Sequence, residues 1–235
     1  MTYEEYEAIE KKRIERNIAM MESGVNFIDI RSAYIDEGVT IGAGTTIYPC
    51  VVIEGNVTIG ENCTIGQNSR IVDSTIGNGV KIQSSVITES SVDDGTSVGP
   101  FAYLRPNSKI GKDCKVGDFV EVKNSTMADG AKASHLTYIG DSDVGERVNL
   151  GCGVVFVNYN GSQKFRSVVE EDAFIGCNSN LVSPVHIGKK AYVAAGSTIT
   201  TDVPDGALFV ARTKGKNIEG WVERRGILDK SKKNY

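Results

Sequence analysis

The chain has 235 residues and a formal net charge of −4, and 40% of its residues are hydrophobic, as in soluble globular proteins. Its basic residues are spread along the sequence, which argues against a nucleic-acid partner. No apolar stretch approaches the roughly 18–20 residues that a membrane-spanning helix needs, and the N-terminus is acidic. We therefore expect no membrane span, no secretion and a cytoplasmic location.

The first element is a predicted helix near residues 3–22, within an N-terminal segment of residues 1–24. Thr2 and Glu5 have the spacing of a capping box, and Gly24 is placed to end the helix. A partly amphipathic face is predicted from the apolar residues Tyr6, Ile9, Ile14, Ile18 and Met21.

A six-residue repeat of aliphatic residues follows and predicts a domain over residues 25–212. The repeated positions are Ile35, Ile41, Ile47, Ile53, Ile59, Ile65, Ile71, Ile76, Ile82, Ile87, Val92, Val98, Leu104, Ile110, Val116, Val122, Met127, Ala133, Ile139, Val144, Leu150, Val169, Ile175, Leu181, Ile187, Val193 and Ile199. A period of six fits neither an α-helix nor a hairpin, but it fits a triangular coil with a short strand on each side. The fold class is therefore all-β, a parallel β-helix of hexapeptide repeats.

Two segments depart from the repeat. Residues 157–168 break its register and contain the turn dipeptide Asn160-Gly161, so we expect a loop that leaves the prism. Such loops commonly carry function. Residues 213–235 have no repeat, and we expect an extended or partly disordered C-terminal tail.

The five cysteines are odd in number and widely spaced, and they include no C-x-x-C pair. They are Cys50, Cys63, Cys114, Cys152 and Cys177. This pattern indicates neither a disulfide framework nor a zinc site, so we expect reduced thiols and no bound metal. Cys152 and Cys177 are conceivable nucleophiles, but we expect both to be buried, inert thiols.

The repeat register predicts which side chains stack. Arg105 and Lys123 each follow an inward residue and are three hexads apart, so they should form a cationic pair on neighbouring coils. Two such cations suit a phosphate group. A solvated surface pair is an equally good interpretation.

The same counting places His135 one coil from Cys152, which lies between two glycines. An imidazole beside accessible backbone N–H groups is the arrangement of a general base and an oxyanion site in acyl transfer. A structural histidine is the alternative interpretation. His186 has no comparable surroundings, and we expect it to be exposed.

Several stretches resemble the acetyltransferase half of the bifunctional glucosamine-1-phosphate N-acetyltransferase/N-acetylglucosamine-1-phosphate uridyltransferase family. They are Gly-Pro-Phe-Ala-Tyr-Leu-Arg-Pro at 99–106, Phe-Val-Glu-Val-Lys at 119–123, Ser-His-Leu-Thr-Tyr-Ile-Gly-Asp at 134–141, Asn-Tyr at 158–159, Phe-Ile-Gly-Cys-Asn-Ser-Asn-Leu-Val at 174–182 and Gly-Trp-Val-Glu at 220–223. The resemblance implies a left-handed coil, acetyl-CoA as co-substrate and a homotrimer with sites between neighbouring prisms.

The resemblance also implies roles for individual residues. It makes His135 the general base and places Glu121 as the acid near it. Sugar-phosphate contacts are implied for Arg105, Lys123, Tyr138, Asn149 and Lys164. Acetyl-CoA contacts are implied for Cys152, Asn158, Tyr159, Cys177, Ala195 and Arg212, of which Asn158 and Tyr159 also fall near the sugar.

The chain departs from the family pattern at Val154, Phe156 and Asn160, where the family has threonine, threonine and aspartate. Nothing like the family's glycine-rich nucleotide-binding segment precedes the helix, so uridyl transfer is not expected and a separate uridyltransferase partner remains open. The predicted activity is acetylation of glucosamine 1-phosphate. Another phosphorylated or nucleotide-linked amino sugar as acceptor, or a non-catalytic trimeric scaffold, are the alternatives.

Overall fold

A computed structural model describes residues 1–226; the last nine residues of the predicted tail lie outside this range. The N-terminal helix α1 (Tyr3–Glu22) leads into a stack of very short parallel strands, and a second helix, α2 (Trp221–Arg225), follows the stack. Neither helix in residues 1–226 is long and apolar enough to cross a membrane.

Helix α1 begins at the predicted capping box. The Thr2 hydroxyl accepts a bond from the Glu5 backbone, and the Glu5 carboxylate accepts one from the Thr2 backbone. The predicted apolar face does not pack against the prism, however, since Tyr6, Ile9, Ile18 and Met21 are exposed.

Polar residues attach this helix to the prism instead. Arg13 donates to the Ala33 carbonyl oxygen at 2.6 Å and covers the Tyr34 ring, while Asn17 donates to the carbonyl oxygens of Ile30 and Ala33, both at 3.0 Å. The carbonyl groups at the open end of the first coil have no preceding coil to bond to, and buried carbonyl groups need donors. The guanidinium of Arg13 and the amide of Asn17 supply these donors, whereas an isoleucine side chain could not.

The strands form three sheets, and each strand pairs in parallel with the strand one coil away. The first sheet contains β1 (Asn26–Phe27), β4 (Thr46–Ile47), β7 (Thr64–Ile65), β10 (Lys81–Ile82), β13 (Ser97–Val98), β16 (Lys115–Asp118), β19 (Lys132–His135), β22 (Asn149–Leu150), β25 (Phe174–Ile175), β28 (Tyr192–Val193) and β30 (Leu208–Phe209). The second contains β2 (Tyr34–Ile35), β5 (Val52–Glu54), β8 (Arg70–Val72), β11 (Val86–Thr88), β14 (Tyr103–Leu104), β17 (Glu121–Lys123), β20 (Tyr138–Gly140), β23 (Val155–Val157), β26 (Asn180–Val182) and β29 (Thr198–Ile199). The third contains β3 (Thr40–Ile41), β6 (Thr58–Ile59), β9 (Thr75–Ile76), β12 (Ser91–Val92), β15 (Lys109–Ile110), β18 (Thr126–Met127), β21 (Ser142–Val144), β24 (Ser167–Val169) and β27 (His186–Ile187).

The repeated aliphatic residues form the core of this prism. Ile47, Ile65 and Ile82 stack in register on successive coils and are fully buried. Each coil contributes one inward side chain per sheet, so the hexapeptide period is the length of one side of the triangle. The predicted left-handed parallel β-helix is confirmed.

One long excursion interrupts the stack between β23 and β24. Paired residues are 16 to 20 positions apart in the coils before and after it, but the pairs that span it, such as Ser142 with Ser167, are 25 positions apart. The last inward-facing side chain of the repeat before the excursion is that of Phe156, which is fully buried. The chain then leaves the prism over residues 158–166. We call this segment the site loop.

The C-terminal segment differs from the predicted extended tail at one place. Helix α2 occupies Trp221–Arg225, between Gly220 and Gly226, both in left-handed conformation. Glycine tolerates this conformation at both ends of the short helix without steric cost.

Candidate active site

Three predicted cations gather on the outer surface of the second sheet. Leu104 and Val122 pair in register, which brings Arg105 and Lys123 to the same edge on neighbouring coils, as predicted. Each of these cations also meets a carboxylate, since Arg105 bonds to Glu121 at 2.7 Å and Lys123 lies 3.4 Å from Asp141. Parallel register places a carboxylate within reach of each cation, and this pairing reduces the electrostatic repulsion between the two neighbouring cations.

Asp141 is the centre of this group. It is nearly buried and accepts bonds from Asn124 and from Asn158, in addition to its contact with Lys123. Burial acts to raise the pKa of Asp141, but the two amides and the Lys123 ammonium outweigh burial and hold this pKa below its usual range.

The site loop adds Lys164 to the group. Lys164 lies close to Lys123, and this neighbouring cation lowers the pKa of Lys164. Together Arg105, Lys123 and Lys164 meet the two carboxylates of Glu121 and Asp141, so three positive charges face two negative ones. We call these five residues the cation cluster. One uncompensated positive charge makes it suited to an anion.

Both ends of the site loop are tied to the prism. Asn158 is bound to Asp141 at one end, and Arg166 pairs with Asp143 at the other, with Nε 2.6 Å from the carboxylate. The tip is the predicted turn, in which the Asn160 side chain accepts from the backbone of Ser162 and Gln163, both at 2.9 Å. The position of Lys164 is therefore set by bonds on both sides of it.

His135 lies on the first sheet with a carboxylate one coil below. Its Nδ1 is 2.6 Å from Oδ1 of Asp118, and the pairing of β16 with β19 places the two residues in register. This bond lowers the pKa of Asp118, so the carboxylate is the acceptor and Nδ1 carries the hydrogen. Nε2 of a neutral His135 is then free to accept a proton.

The register continues upward from His135 through the predicted acetyl-CoA residues. Ala133 pairs with Leu150, Leu150 with Ile175 and Ile175 with Val193. Two positions further along each strand, the same stacking gives the order Asp118, His135, Cys152, Cys177, Ala195, which we call the base ladder. The prediction that His135 lies one coil from Cys152 is confirmed.

The backbone along the base ladder offers a row of donors. The N–H groups of Gly151 and Gly153 are already used, since they donate to the carbonyl oxygens of Ile175 and Leu136. Cys152, Cys177 and Ala195 lie between such bonded residues, and their own N–H groups meet no backbone acceptor within residues 1–226. A β-carbon on Gly151 would come 2.6 Å from the Cys177 nitrogen, so glycine permits this close stacking.

The remaining predicted residues are more dispersed. Asn149 lies on β22, three residues before Cys152, and Arg212 donates to the Ala195 carbonyl oxygen. Tyr138 contributes its hydroxyl 3.5 Å from the Asn158 amide, which places Asn158 with the cation cluster and not with the base ladder. The hydroxyl of Tyr159 donates to Gly161 within the site loop.

Two expectations about individual residues change. The carboxylate bonded to His135 is Asp118, while Glu121, three residues later, is bonded to Arg105 on the next sheet. Cys152 is half-buried and Cys177 is exposed, so neither is the buried thiol that we expected. Their corner positions turn the side chains outward, whereas Cys114 faces the core and burial raises its pKa to about 11.

Asp118 and Asp141 were missed by the sequence reasoning. Counting one coil down from His135, with the same register that gave Cys152, leads to Asp118. Asp141 stacks above Asn124, next to Lys123, and could have been found in the same way. The repeat spacing therefore indicates both residues once coils are counted toward the N-terminus as well as toward the C-terminus.

An exposed apolar corner lies beside the base ladder. It consists of Phe101, Phe119 and Leu136, which are 60%, 58% and 56% exposed and stack on successive coils, with the two phenyl rings 5.5 Å apart. All three have positive φ values, between 48° and 58°. Large side chains seldom adopt this backbone conformation, so their presence here is costly unless something else uses them.

The cavities of the described residues do not coincide with this chemistry. A cavity of about 700 Å³ lies between α1 and the first coils, lined by Tyr6, Ile9, Arg13 and Tyr34 among others, and includes none of the predicted site residues. Within residues 1–226, no group of three or more histidine, cysteine or acidic side chains could hold a metal ion. The convergence of charge and donors, and not concavity, marks the site.

The bacterial transferase hexapeptide family (six repeats) matches residues 38–73 and 166–201. The bifunctional protein GlmU of Clostridium botulinum (strain Langeland) is 55% identical over 226 residues, which is 96% of this chain and 49% of that protein. The chain is a relative of GlmU. The resemblance stated from the motifs is thus confirmed.

Other relatives give the same result. GlmU of Clostridium perfringens (strain SM101) is 58% identical over 94% of this chain, and GlmU of Clostridioides difficile (strain 630) is 54% identical over 97%. The chain spans about half the length of the curated relatives it matches. Among solved structures, an Arabidopsis UDP-N-acetylglucosamine acyltransferase shares the fold, with a TM-score of 0.68 at 19% identity over 83% of this chain and 76% of that chain.

Proposed function

We propose that this chain transfers an acetyl group from acetyl-CoA to the amine of glucosamine 1-phosphate, giving N-acetylglucosamine 1-phosphate. The observation that carries the proposal is the base ladder, on which an imidazole held by a carboxylate precedes a row of backbone donors. The relationship to GlmU supports the assignment to this reaction.

Acetyl-CoA is assigned to the donor row. Successive N–H groups about 4.8 Å apart suit an extended chain with amide carbonyls, because each carbonyl oxygen can meet one donor. The N–H groups of Cys152, Cys177 and Ala195 form such a row, and Arg212 is bound at its far end through the Ala195 carbonyl oxygen. The thioester then lies at the His135 end.

The sugar phosphate is assigned to the cation cluster. A phosphate that binds Arg105, Lys123 and Lys164 supplies the charge that the two carboxylates leave uncompensated. The phosphate also relieves the repulsion between the two lysines, which would otherwise favour loss of the Lys164 proton. Tyr138 and Asn149 are assigned to the sugar ring beside it.

Chemistry begins with the amine nitrogen attacking the carbonyl carbon of the thioester. Nε2 of His135 takes a proton from the nitrogen as the C–N bond forms, while Asp118 holds the ring through Nδ1 and stabilises its positive charge. The Cys152 N–H is the donor placed nearest to the negatively charged carbonyl oxygen. The C–S bond then breaks, and the proton on His135 passes to the leaving thiolate of CoA.

The active protein is proposed to be a homotrimer. The apolar corner of Phe101, Phe119 and Leu136 exposes large side chains directly beside the base ladder, where a second copy would cover them. Such a copy would also exclude water from His135. Sedimentation at micromolar concentration is expected to give three times the monomer mass, and a monomer with full activity would contradict the shared site.

The activity is tested by incubating the protein with acetyl-CoA and glucosamine 1-phosphate, and by measuring both CoA thiol release and the mass of the sugar product. The panel adds glucosamine, glucosamine 6-phosphate and UDP-glucosamine as acceptors. Preference for glucosamine 1-phosphate supports the proposal. Preference for UDP-glucosamine would move the acceptor to a nucleotide-linked sugar, and no thiol release with any acceptor would favour the scaffold.

A further inference from the structure

We propose that Cys152 and Cys177 form a disulfide when the protein meets a peroxide, and that this bond closes the edge assigned to acetyl-CoA. The closing step rests on the proposed function, whereas formation of the bond does not. All five cysteines lie within the described residues, and each is a free thiol in the structure.

Cys152 and Cys177 stack on neighbouring coils. The Gly151 N–H bonds to Ile175 and the Asn178 N–H bonds to Cys152, so register is fixed on both sides of the pair. Residues stacked in this way are separated by the strand spacing of about 4.8 Å, which falls within the Cα separation of roughly 4.4–6.8 Å found in disulfides. The fold thus brings together two residues that are 25 positions apart in sequence.

Cys152 and Cys177 differ from the other three thiols in exposure and in having a thiol neighbour. Cys63 and Cys114 face the core, where burial raises the pKa of both thiols and suppresses their reactivity. Cys50 is exposed but stacks between Ser32 and Asn68, so it has no partner thiol one coil away. Cys152 and Cys177 combine access to solvent with a neighbouring thiol.

The chemistry needs one oxidant, a hydroperoxide. The exposed Cys177 sulfur attacks the peroxide, the O–O bond breaks, and sulfenic acid and water are formed. The Cys152 sulfur then attacks the Cys177 sulfur and expels the hydroxyl group, which leaves as water with the Cys152 proton. Two thiols and one hydrogen peroxide give one disulfide and two waters, and a dithiol reductant reverses the bond.

The position of the two cysteines determines how the disulfide would affect acetyl-CoA binding. Both cysteines lie at the middle of the donor row, between His135 and Ala195. A bond between their side chains fixes two sulfur atoms beside the N–H groups assigned to acetyl-CoA. The bridge also closes a ring that contains the whole site loop, so it fixes the base of the segment that carries Lys164.

The bond itself is tested by mass spectrometry of the full protein. Trypsin places the two thiols on separate peptides, residues 148–164 and 167–189. After hydrogen peroxide and alkylation, we expect these peptides to be linked within one chain, with a loss of about 2 Da per chain that dithiothreitol reverses. Stable sulfinic acid at Cys177, or a link between chains, would overturn the proposal.

The closure is tested by titrating acetyl-CoA into reduced, oxidised and re-reduced protein. Oxidation is expected to weaken binding by roughly tenfold or more, the loss of about one hydrogen bond, and dithiothreitol should restore it. Cys177→Ala should show equal binding before and after peroxide, whereas Cys50→Ala should respond as the parent does. Linked peptides with unchanged binding would refute closure, and reduced protein that binds no acetyl-CoA would refute the proposed function while leaving the mass result standing.

Discussion

The coils at residues 26–98, which we call the early coils, and those at residues 99–182, the site coils, share one interior and differ on the outside. Ile47 and Ile65 in the early coils are buried in the same hydrophobic core as Val116 and Leu150 in the site coils. At one corner, however, the early coils carry Cys50, Asn68 and Ser84 in left-handed conformation, and the site coils carry Phe101, Phe119 and Leu136 at the equivalent stacked positions. Folding of the prism does not need the large residues, so their selection must come from what the outside binds.

The same contrast holds for charge. Arg70 and Glu54 form an ion pair on the second sheet of the early coils, with the same one-coil spacing as Arg105 and Glu121. Only the second pair is extended by Lys123 and by Lys164 from the site loop. An isolated pair of exposed charges contributes little to stability, whereas a group with an excess charge can hold an anion.

The largest expected effect is at His135. Replacing it with alanine should lower kcat by roughly 10²–10⁴, the usual contribution of a general base, and should leave acetyl-CoA binding nearly unchanged. His186→Ala is a matched control, because His186 also contacts a carboxylate one coil below it, Glu170 at 3.0 Å. Steady-state kinetics of both variants decide the point. Equal losses in the two would mean that His135 is not the base.

The next effect concerns the cation cluster. Lys123→Ala or Arg105→Ala should raise KM for glucosamine 1-phosphate by roughly 10- to 100-fold, as expected for loss of a hydrogen bond between charged groups, with much less change for acetyl-CoA. Arg70→Ala removes the arginine of the early-coil ion pair, which stacks in line with Glu121 and lies away from the cation cluster, and should leave both constants unchanged. A similar rise in KM for both substrates would contradict assignment of the phosphate to this cluster.

Most of the fold could be predicted from the sequence because one physical rule, an inward aliphatic residue every six positions, applies to nearly every coil. The helix boundaries also followed from a local signal, the capping box at Thr2 and Glu5. The face on which α1 packs could not be predicted, because it is decided by backbone carbonyls of the first coil that Arg13 and Asn17 satisfy. Hydrophobic patterning has no information about such partners.

The site was predicted less completely than the fold. Register alone brought Arg105 to Lys123 and His135 to Cys152, since in-register stacking is a property of the backbone. Register did not reveal that Lys164 reaches Lys123, because the site loop leaves the repeat and its course depends on the Asn158 and Arg166 anchors. It also did not reveal which N–H groups of the corner are occupied, which depends on the hydrogen bonds of the turn itself.

The apolar corner gives a smaller effect. Phe119→Asn places at this position a residue that adopts left-handed conformation readily, as Asn68 does in the early coils, so the single prism should be no less stable. If a second copy covers Phe119, the change should weaken trimer association by about 1–2 kcal/mol per interface, and sedimentation across a dilution series measures this. Asn68→Ala should not alter the association. An unchanged trimer would assign the corner to something other than a neighbouring copy.

The smallest effect is expected at Asp118, which acts on the reaction only through the His135 ring. Asp118→Ala removes the acceptor for the Nδ1 hydrogen and should lower kcat by about tenfold, less than the loss at His135, because the base is still present but no longer held. Asp118→Asn keeps an acceptor oxygen and should restore part of the rate.

Stability gives an independent measure of the same bond. The pKa of Asp118 is lowered in the folded chain, so its contribution to stability is present above the unfolded value of about 3.9 and is lost as the pH falls through the folded value. Asp118→Ala should therefore flatten the acid side of the stability curve and leave the neutral-to-alkaline slope unchanged. A variant with the parental kcat and the parental pH dependence of stability would show that the contact between Asp118 and His135 has no part in either.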